Sequence, residues 1–178
     1  DVCSSDLLIE ALELPRGVAR TQIGFMGCHA AFNALRAADA FADQGANVLV
    51  CAVELCSVHF DYTWDMERVV ANALFADGAA SAVGVPSDAR RPAPWTLAAS
   101  GSQLTPDSAE AMTWSIGDHG FQMTLSRRVP ALIEEHLPAW LDGWLRSLAT
   151  SIDQIGSWAV HPGGPRILTA VERALHLP

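Results

Sequence analysis

Two residues stand where local sequence would favour chemistry. The stretch GFMGCHAAFNAL, residues 24–35, places Cys28 between a glycine and an apolar helical pattern. A thiol at a helix N-terminus lies beside free N–H groups and the positive end of the helix dipole, and both favour the thiolate. Gly24 and Gly27 allow a sharp turn that would present the sulfur in a cleft. On this stretch alone, Cys28 reads equally as a nucleophile or as a small buried hydrophobe. The second stretch, WAVHPGGPRIL, puts His161 at the C-terminal end of a short apolar strand, before Pro-Gly-Gly and a helix start. Ligand sites in α/β sheets gather at the carboxyl ends of strands. Gly163 and Gly164 would let a substrate approach the backbone there. A lone histidine is more often structural than catalytic, but this setting makes His161 a stronger candidate than most. Together the two residues suggest a Cys/His thiolate pair whose members meet only in the fold.

Other readings are weaker. Cys51 and Cys56 are not spaced as zinc ligands and no second pair accompanies them, so no metal site is expected. Both read as core residues, with Cys56, at the end of a strand, able to line a cavity. His59 shares that strand end. His29, His119 and His136 read as turn or surface residues. The aromatic residues of EEHLPAWLDGWL sit at helix spacing and read as core. No G-x-S-x-G, phosphate loop, dinucleotide fingerprint or H-E-x-x-H occurs.

The elements that must position these residues follow from composition and periodicity. The chain has 178 residues, half of them apolar, enough for one packed domain. A net charge of -9 with eleven scattered basic residues argues against a nucleic-acid surface. No apolar run reaches membrane length. Four irregularly spaced cysteines do not suggest a disulfide scaffold, and no secretory pattern opens the chain, so a reduced, cytoplasmic protein is expected. Residues 1–7, DVCSSDL, read like a translated sequencing adapter and are set aside, Cys3 included.

Residues 8–14 read as the end of a helix closed by Pro15 and Gly17. ARTQIGF reads as a strand, and Cys28 to about Asp43 as a helix capped by Gly45. ANVLVCAVEL has the continuous apolar run of a strand covered on both faces. Strand, helix, strand predicts a parallel crossover. A loop and short helix follow, then a tight Asp77-Gly78 turn and a strand of small residues. ARRPAP reads as a surface connection and WTLAASGSQL as a strand. MTWSIGDHGFQMTLS reads as a hairpin turning at residues 117–120. RRVPALIEEHLPAWLDGWLRSL is helical, with Pro138 expected to kink or divide it. SWAV reads as a short buried strand. HPGGPRILTAVERALHL reads as a glycine loop and a helix with Ile167, Leu168, Val171 and Leu175 on one face. Several strands lack partners for a closed sheet, which suggests a truncated sequence.

At Cys28 and His161 the sequence resembles the type III polyketide synthases, the chalcone synthase-like enzymes of the thiolase fold. The resemblance runs from about Leu8 to the end. It rests on five pieces in order: GFMGCHAA, VLVCAVELCSVHF, ALFADGAA, GFQMTLSRRVP and WAVHPGGPRIL. It implies an α/β thiolase-like fold, layered αβαβα and here truncated at both ends. Residues 8–88 would be the end of the N-terminal half, carrying the nucleophile. Residues 89–178 would be part of the C-terminal half, carrying the histidine.

The resemblance implies roles as well. Cys28 matches the acyl-carrying nucleophile, and His161 the histidine that pairs with it and helps hold the thioester carbonyl of malonyl-CoA. Phe75 matches an aromatic gatekeeper between the CoA tunnel and the reaction cavity, and otherwise reads as a core aromatic. Cys56 falls where a cavity-lining residue influences starter and chain length, and otherwise reads as a buried strand residue. Met123 stands where plant members carry a second gatekeeper phenylalanine, and Trp114 where they carry a small cavity-shaping residue. Both departures suit bacterial members better than a chalcone-type pocket.

The family's third catalytic residue, an asparagine in a Gly-Asn motif, and upstream basic residues for the CoA phosphates lie outside these 178 residues. The implied substrates are an acyl-CoA starter and malonyl-CoA, with no metal or redox cofactor, no nucleic acid and no membrane, in a homodimer when full length. The fragment alone is expected to be nearly inactive. Two alternatives remain: an initiating ketoacyl-ACP synthase-like acyltransferase, or an inactive thiolase-fold remnant that only dimerises. The former typically carries Gln-Ala-Asn after its histidine, where this chain has Pro162-Gly163-Gly164.

Overall fold

A computed structural model describes residues 4–60, 62, 64–88, 93–117 and 120–177. The sequence expectations for Cys3, for residues 89–92 of ARRPAP, and for Asp118 and His119 of the hairpin turn lie outside these residues. Where composition allowed one packed domain, the chain divides into two compact units that interleave along the sequence. The first takes residues 1–52 and 81–98, the second residues 53–80 and 99–178.

In the first unit, helix α1 spans Ser4–Ala11, and Arg20 pairs with Asp6 on it. A 3-10 turn over Gly27–His29 runs directly into α2, Ala30–Asp43. The alanine-rich sequence AAFNALRAADAFAD favours that helix. Gly45 stops it at φ 89°, with its N–H on the Ala42 carbonyl at 2.9 Å and the Ala46 N–H on Phe41 at 3.1 Å, the left-handed C-terminal cap expected from the sequence. Strand β1, Val48–Glu54, pairs with β2, Gly78–Gly84; residues 48–52 of the one and 81–84 of the other belong to this unit.

Four strand expectations need correction. Residues 19–25, 95–104 and 157–160 form no strand. A strand requires a ladder partner for its N–H and C=O groups, and among the described residues the sheets are β1–β2 and β3–β4 alone. The parallel crossover predicted from the first of these segments is therefore not built. The fourth correction concerns β1, which is not covered on both faces. From Cys51 to Glu54 every residue is exposed, because no layer of described residues lies over it. Cys51, read as core, is consequently an exposed thiol.

In the second unit, α3 spans Met66–Leu74 and packs against β4, Gly120–Leu125. Strand β3, Met112–Gly117, pairs antiparallel with β4 in the predicted hairpin, Gly117 opposite Gly120. Thr113 and Thr124 face each other with hydroxyls 2.6 Å apart.

Helix α4, Val129–Ser147, is continuous through Pro138 rather than divided there. Proline removes one N–H and crowds the carbonyl four residues back, but the turns around it pack against α5, Pro165–Leu175. Leu141 and Leu145 from α4 meet Val171 and Leu175 from α5 in the buried core. Trp158 and Val160 join this seam half-buried, while Ser157 and Ala159 point outward. SWAV thus has the alternation of a strand without a neighbour to pair with. Trp140 and Trp144 stack at 5.9 Å with an interplanar angle of 4°. Gly101 lies so close that a Cβ there would sit 2.6 Å from Trp144 Nε1. Among the described residues, no helix is long and apolar enough to cross a membrane.

The turn between α3 and β2 is tied back to the end of β1. A 3-10 turn over Cys56–His59 follows β1. In it, Ser57 donates its main-chain N–H to Asp77 Oδ1 at 2.7 Å and its hydroxyl to Oδ2 at 2.6 Å. The Asp77 carboxyl is held below its ordinary value, first by the Ser57 hydroxyl and then by the Ser57 N–H, against a small opposing effect of burial.

Two expectations follow, both for the protein expressed from its complete gene. Leu145→Ala removes a buried contact from the α4–α5 seam and lowers stability by about 2–5 kcal/mol in urea unfolding. The Asp77 bonds favour the ionised form, so their contribution is complete above the ordinary aspartate value of 3.8 and fades as pH falls through the lower folded-state value. The small stability gap between wild type and Asp77→Ala, followed by urea unfolding across pH, therefore stays level down to about pH 3.8, narrows as pH falls from there through the lower folded-state value, and is gone below it.

Candidate active site

Cys28 sits in the middle of the 3-10 turn that opens onto α2. The backbone reverses sharply just before it, with Phe25 at φ 57° and Gly27 at φ 52°. Gly27 does what the sequence expects of it. Gly24 does not: the other left-handed residue is Phe25, a conformation uncommon for a bulky side chain, and its ring is 95% exposed. The Cys28 thiol is exposed, which sets aside the buried-hydrophobe reading. His29, the next residue, stacks on Phe32 with ring centres 5.9 Å apart.

His161 lies on an irregular exposed segment, not at the end of a strand, because SWAV has no ladder partner. The loop after it is nevertheless tightly defined. The Gly163 N–H donates to the His161 carbonyl at 2.9 Å. A Cβ on Gly163 would meet the imidazole edge, 3.6 Å from Cδ2 and 3.8 Å from Nε2. Gly164 adopts φ 139°, which L side chains rarely adopt. Its carbonyl accepts the Ile167 N–H at 3.0 Å as α5 begins, with Pro165 in the first turn. His161 is thus folded over a glycine and held at the entry to the best-packed helix pair.

The same loop passes beside α3. The nearest neighbour to a Cβ on Gly164 would be Leu74 Cδ1 at 3.9 Å. Leu74 ends α3, and Phe75, half-buried, follows it. Helix α3 in turn packs on β4, where Met123 lies directly opposite Trp114 on β3. Cross-strand partners share a face of the hairpin, so the thioether and the indole are neighbours. Met123 is half-buried and Trp114 more exposed. Cys56, half-buried, starts the turn that Asp77 ties down through Ser57.

Seven of the eight residues singled out from sequence, His161, Gly163, Gly164, Phe75, Cys56, Met123 and Trp114, thus fall in the second unit, and Cys28 in the first. Ser57 and Asp77 were missed. The sequence offers Asp77-Gly78 as a turn signal, but nothing in a gap of twenty residues says that a serine returns to that carboxylate. Leu74, the α3 residue beside the glycine loop, was missed too, being one apolar residue in a helical pattern. Among the described residues, no three His, Cys, Asp or Glu side chains gather as a metal site.

Comparison with known proteins identifies the family. The family pattern for the N-terminal domain of chalcone and stilbene synthases matches residues 2–89, and that for their C-terminal domain matches residues 96–178. A 1,3,6,8-tetrahydroxynaphthalene synthase from Streptomyces peucetius is 39% identical over 73% of this chain and 35% of its own length. The alpha-pyrone synthesis polyketide synthase-like Pks18 of Mycobacterium tuberculosis is 31% identical over 94% of this chain and 44% of its own. The chain therefore spans less than half the length of these curated relatives. The crystal structure of PKS-I from the brown alga Ectocarpus siliculosus superposes with a TM-score of 0.92 at 32% identity, covering 100% of this chain and 48% of that one. The chain belongs to the chalcone and stilbene synthases, the type III polyketide synthases of the thiolase-like fold.

Proposed function

We propose that the protein containing this chain condenses a CoA-linked starter with malonyl-CoA units on Cys28 and cyclises the product. The observation that carries the reading is an exposed thiol at the start of α2 in a chain that matches both domains of the family. The Cys28 thiolate attacks the starter thioester carbonyl. A thioester to Sγ forms, and CoA leaves as its thiolate and takes a proton. Malonyl-CoA then loses carbon dioxide, and the bonding pair remains as an enolate on the acetyl-CoA carbons. That negative charge needs donors already in place. His161, held over Gly163, supplies one, and the family's asparagine another. The enolate carbon attacks the Cys28 thioester, the Sγ–carbon bond breaks, and the chain, two carbons longer, leaves on CoA before returning to the sulfur. These steps balance without an electron acceptor, so no redox cofactor is called for.

Phe75, Cys56, Met123 and Trp114 would line the cavity, and Gly163 and Gly164 would let substrate approach the backbone. The relatives' names support a small hydroxylated aromatic or a pyrone as product class. Exposed apolar side chains such as Phe25, Trp64 and Leu104 support burial against further chain or a second subunit, in keeping with a homodimer; a cytoplasmic location belongs to the same proposal.

The test uses the protein expressed from its complete gene. Wild type converts radiolabelled malonyl-CoA and an acyl-CoA starter into polyketide and takes the starter acyl group onto Cys28. Cys28→Ala takes no label and makes no product. His161→Gln lowers turnover by about a hundredfold or more, the scale for loss of one oxyanion donor. Use of malonyl-ACP in place of malonyl-CoA would favour an initiating ketoacyl-ACP synthase instead. Absence of any Cys28 labelling would favour an inactive remnant.

A further inference from the structure

We infer that Asp77 is a positioning residue that, through Ser57, sets how the Cys56 turn stands relative to Phe75, and thereby which chain lengths the cavity releases. The inference rests on the polyketide synthase reading above. Its basis is the connectivity of the second unit. Phe75 and Met123 are already on one frame, since Phe75 directly follows α3 and α3 packs on β4, the strand that carries Met123. Cys56 arrives from the end of β1, on a turn twenty residues earlier in the chain. The Asp77 carboxylate reaches that turn at the residue next to Cys56, and it does so at two points, the Ser57 N–H and the Ser57 hydroxyl.

Two donors on one carboxylate fix orientation as well as distance. Asp77 itself lies two residues after Phe75. A change in the carboxylate's grip thus moves Cys56 against Phe75 while leaving the packing of α3 on β4 as it is.

A plain structural staple would behave differently. Ser57 and Asp77 are both exposed, so removing their bonds strands no buried polar group and costs little stability. What changes is the spacing of two residues that line the proposed cavity.

The experiment compares the product spectrum from malonyl-CoA for wild type, Asp77→Ala, Asp77→Asn and Ser57→Ala, each expressed from the complete gene. Alongside, it measures circular dichroism and the rate at which iodoacetamide alkylates Cys28. Asp77→Ala is expected to fold and to be alkylated at Cys28 at the wild-type rate. It shifts the ratio of the main product to its neighbour one malonyl unit shorter or longer by roughly threefold or more, the scale of a small difference between competing barriers. Ser57→Ala, which keeps the main-chain bond, gives a smaller shift in the same direction. Asp77→Asn restores the wild-type ratio, because its Oδ1 accepts the Ser57 N–H and its amide donates to the Ser57 hydroxyl.

A folded Asp77→Ala with an unchanged product ratio, losing turnover equally on every product, overturns the inference. Should Asp77→Ala not fold, Ser57→Ala decides, and an unchanged ratio there overturns it as well. If wild type makes no product at all from malonyl-CoA, the polyketide synthase reading has failed and takes this inference with it. If wild type makes product and the ratios stay fixed, this inference alone has failed.

Discussion

The second unit depends on one apolar seam. Leu141 and Leu145 on α4 close against Val171 and Leu175 on α5, and these four account for most of the buried side chains among the described residues. Burial of that kind is the largest favourable contribution available to a chain of this size. Its value to the site is indirect. Helix α5 starts at Pro165, so anchoring α5 also anchors the glycine pair before it, and the Gly163 N–H is bonded to the main-chain carbonyl of His161. A residue on an irregular exposed segment is thereby given a defined place by a helix whose far end is the best-packed part of the chain.

From that anchor the contacts spread by short steps. Gly164 is needed for φ 139°, a conformation that L side chains rarely adopt, and Leu74 lies beside it. Leu74 ends α3, whose other contact is β4. The hairpin then orders Met123 and Trp114 by register alone. The turn bearing Cys56 joins through a charged hydrogen bond instead of apolar contact, which makes it the link most open to adjustment by a single substitution.

How much of this was legible in the sequence depends on the kind of signal. Helix α2 and its Gly45 cap, the hairpin, and the apolar face of α5 with Val171 and Leu175 were readable because each is a local pattern with a local cause. Periodicity and turn residues specify such elements without reference to the rest of the fold. The segments 19–25, 95–104 and 157–160 have strand-like composition but no strand, since a ladder is a property of two segments and composition speaks for one. Cys51 went wrong for the same reason: an apolar run announces that a strand ought to be covered, not that a covering layer is at hand. Cys28 and His161 stand out in the sequence as candidates because glycine and proline flank them in ways that ordinary core residues do not require. Asp77 was not, because its partner is fixed by the path of the chain between β1 and β2.

The stacked indoles of Trp140 and Trp144 add something to the seam besides packing. Two chromophores 5.9 Å apart and within 4° of parallel are close enough for their transitions to couple, and both rings rest against the α4–α5 core. The near-ultraviolet signal of the protein therefore carries an intrinsic optical signature of that helix pair. It belongs to the same structural unit as the imidazole, and it requires no label.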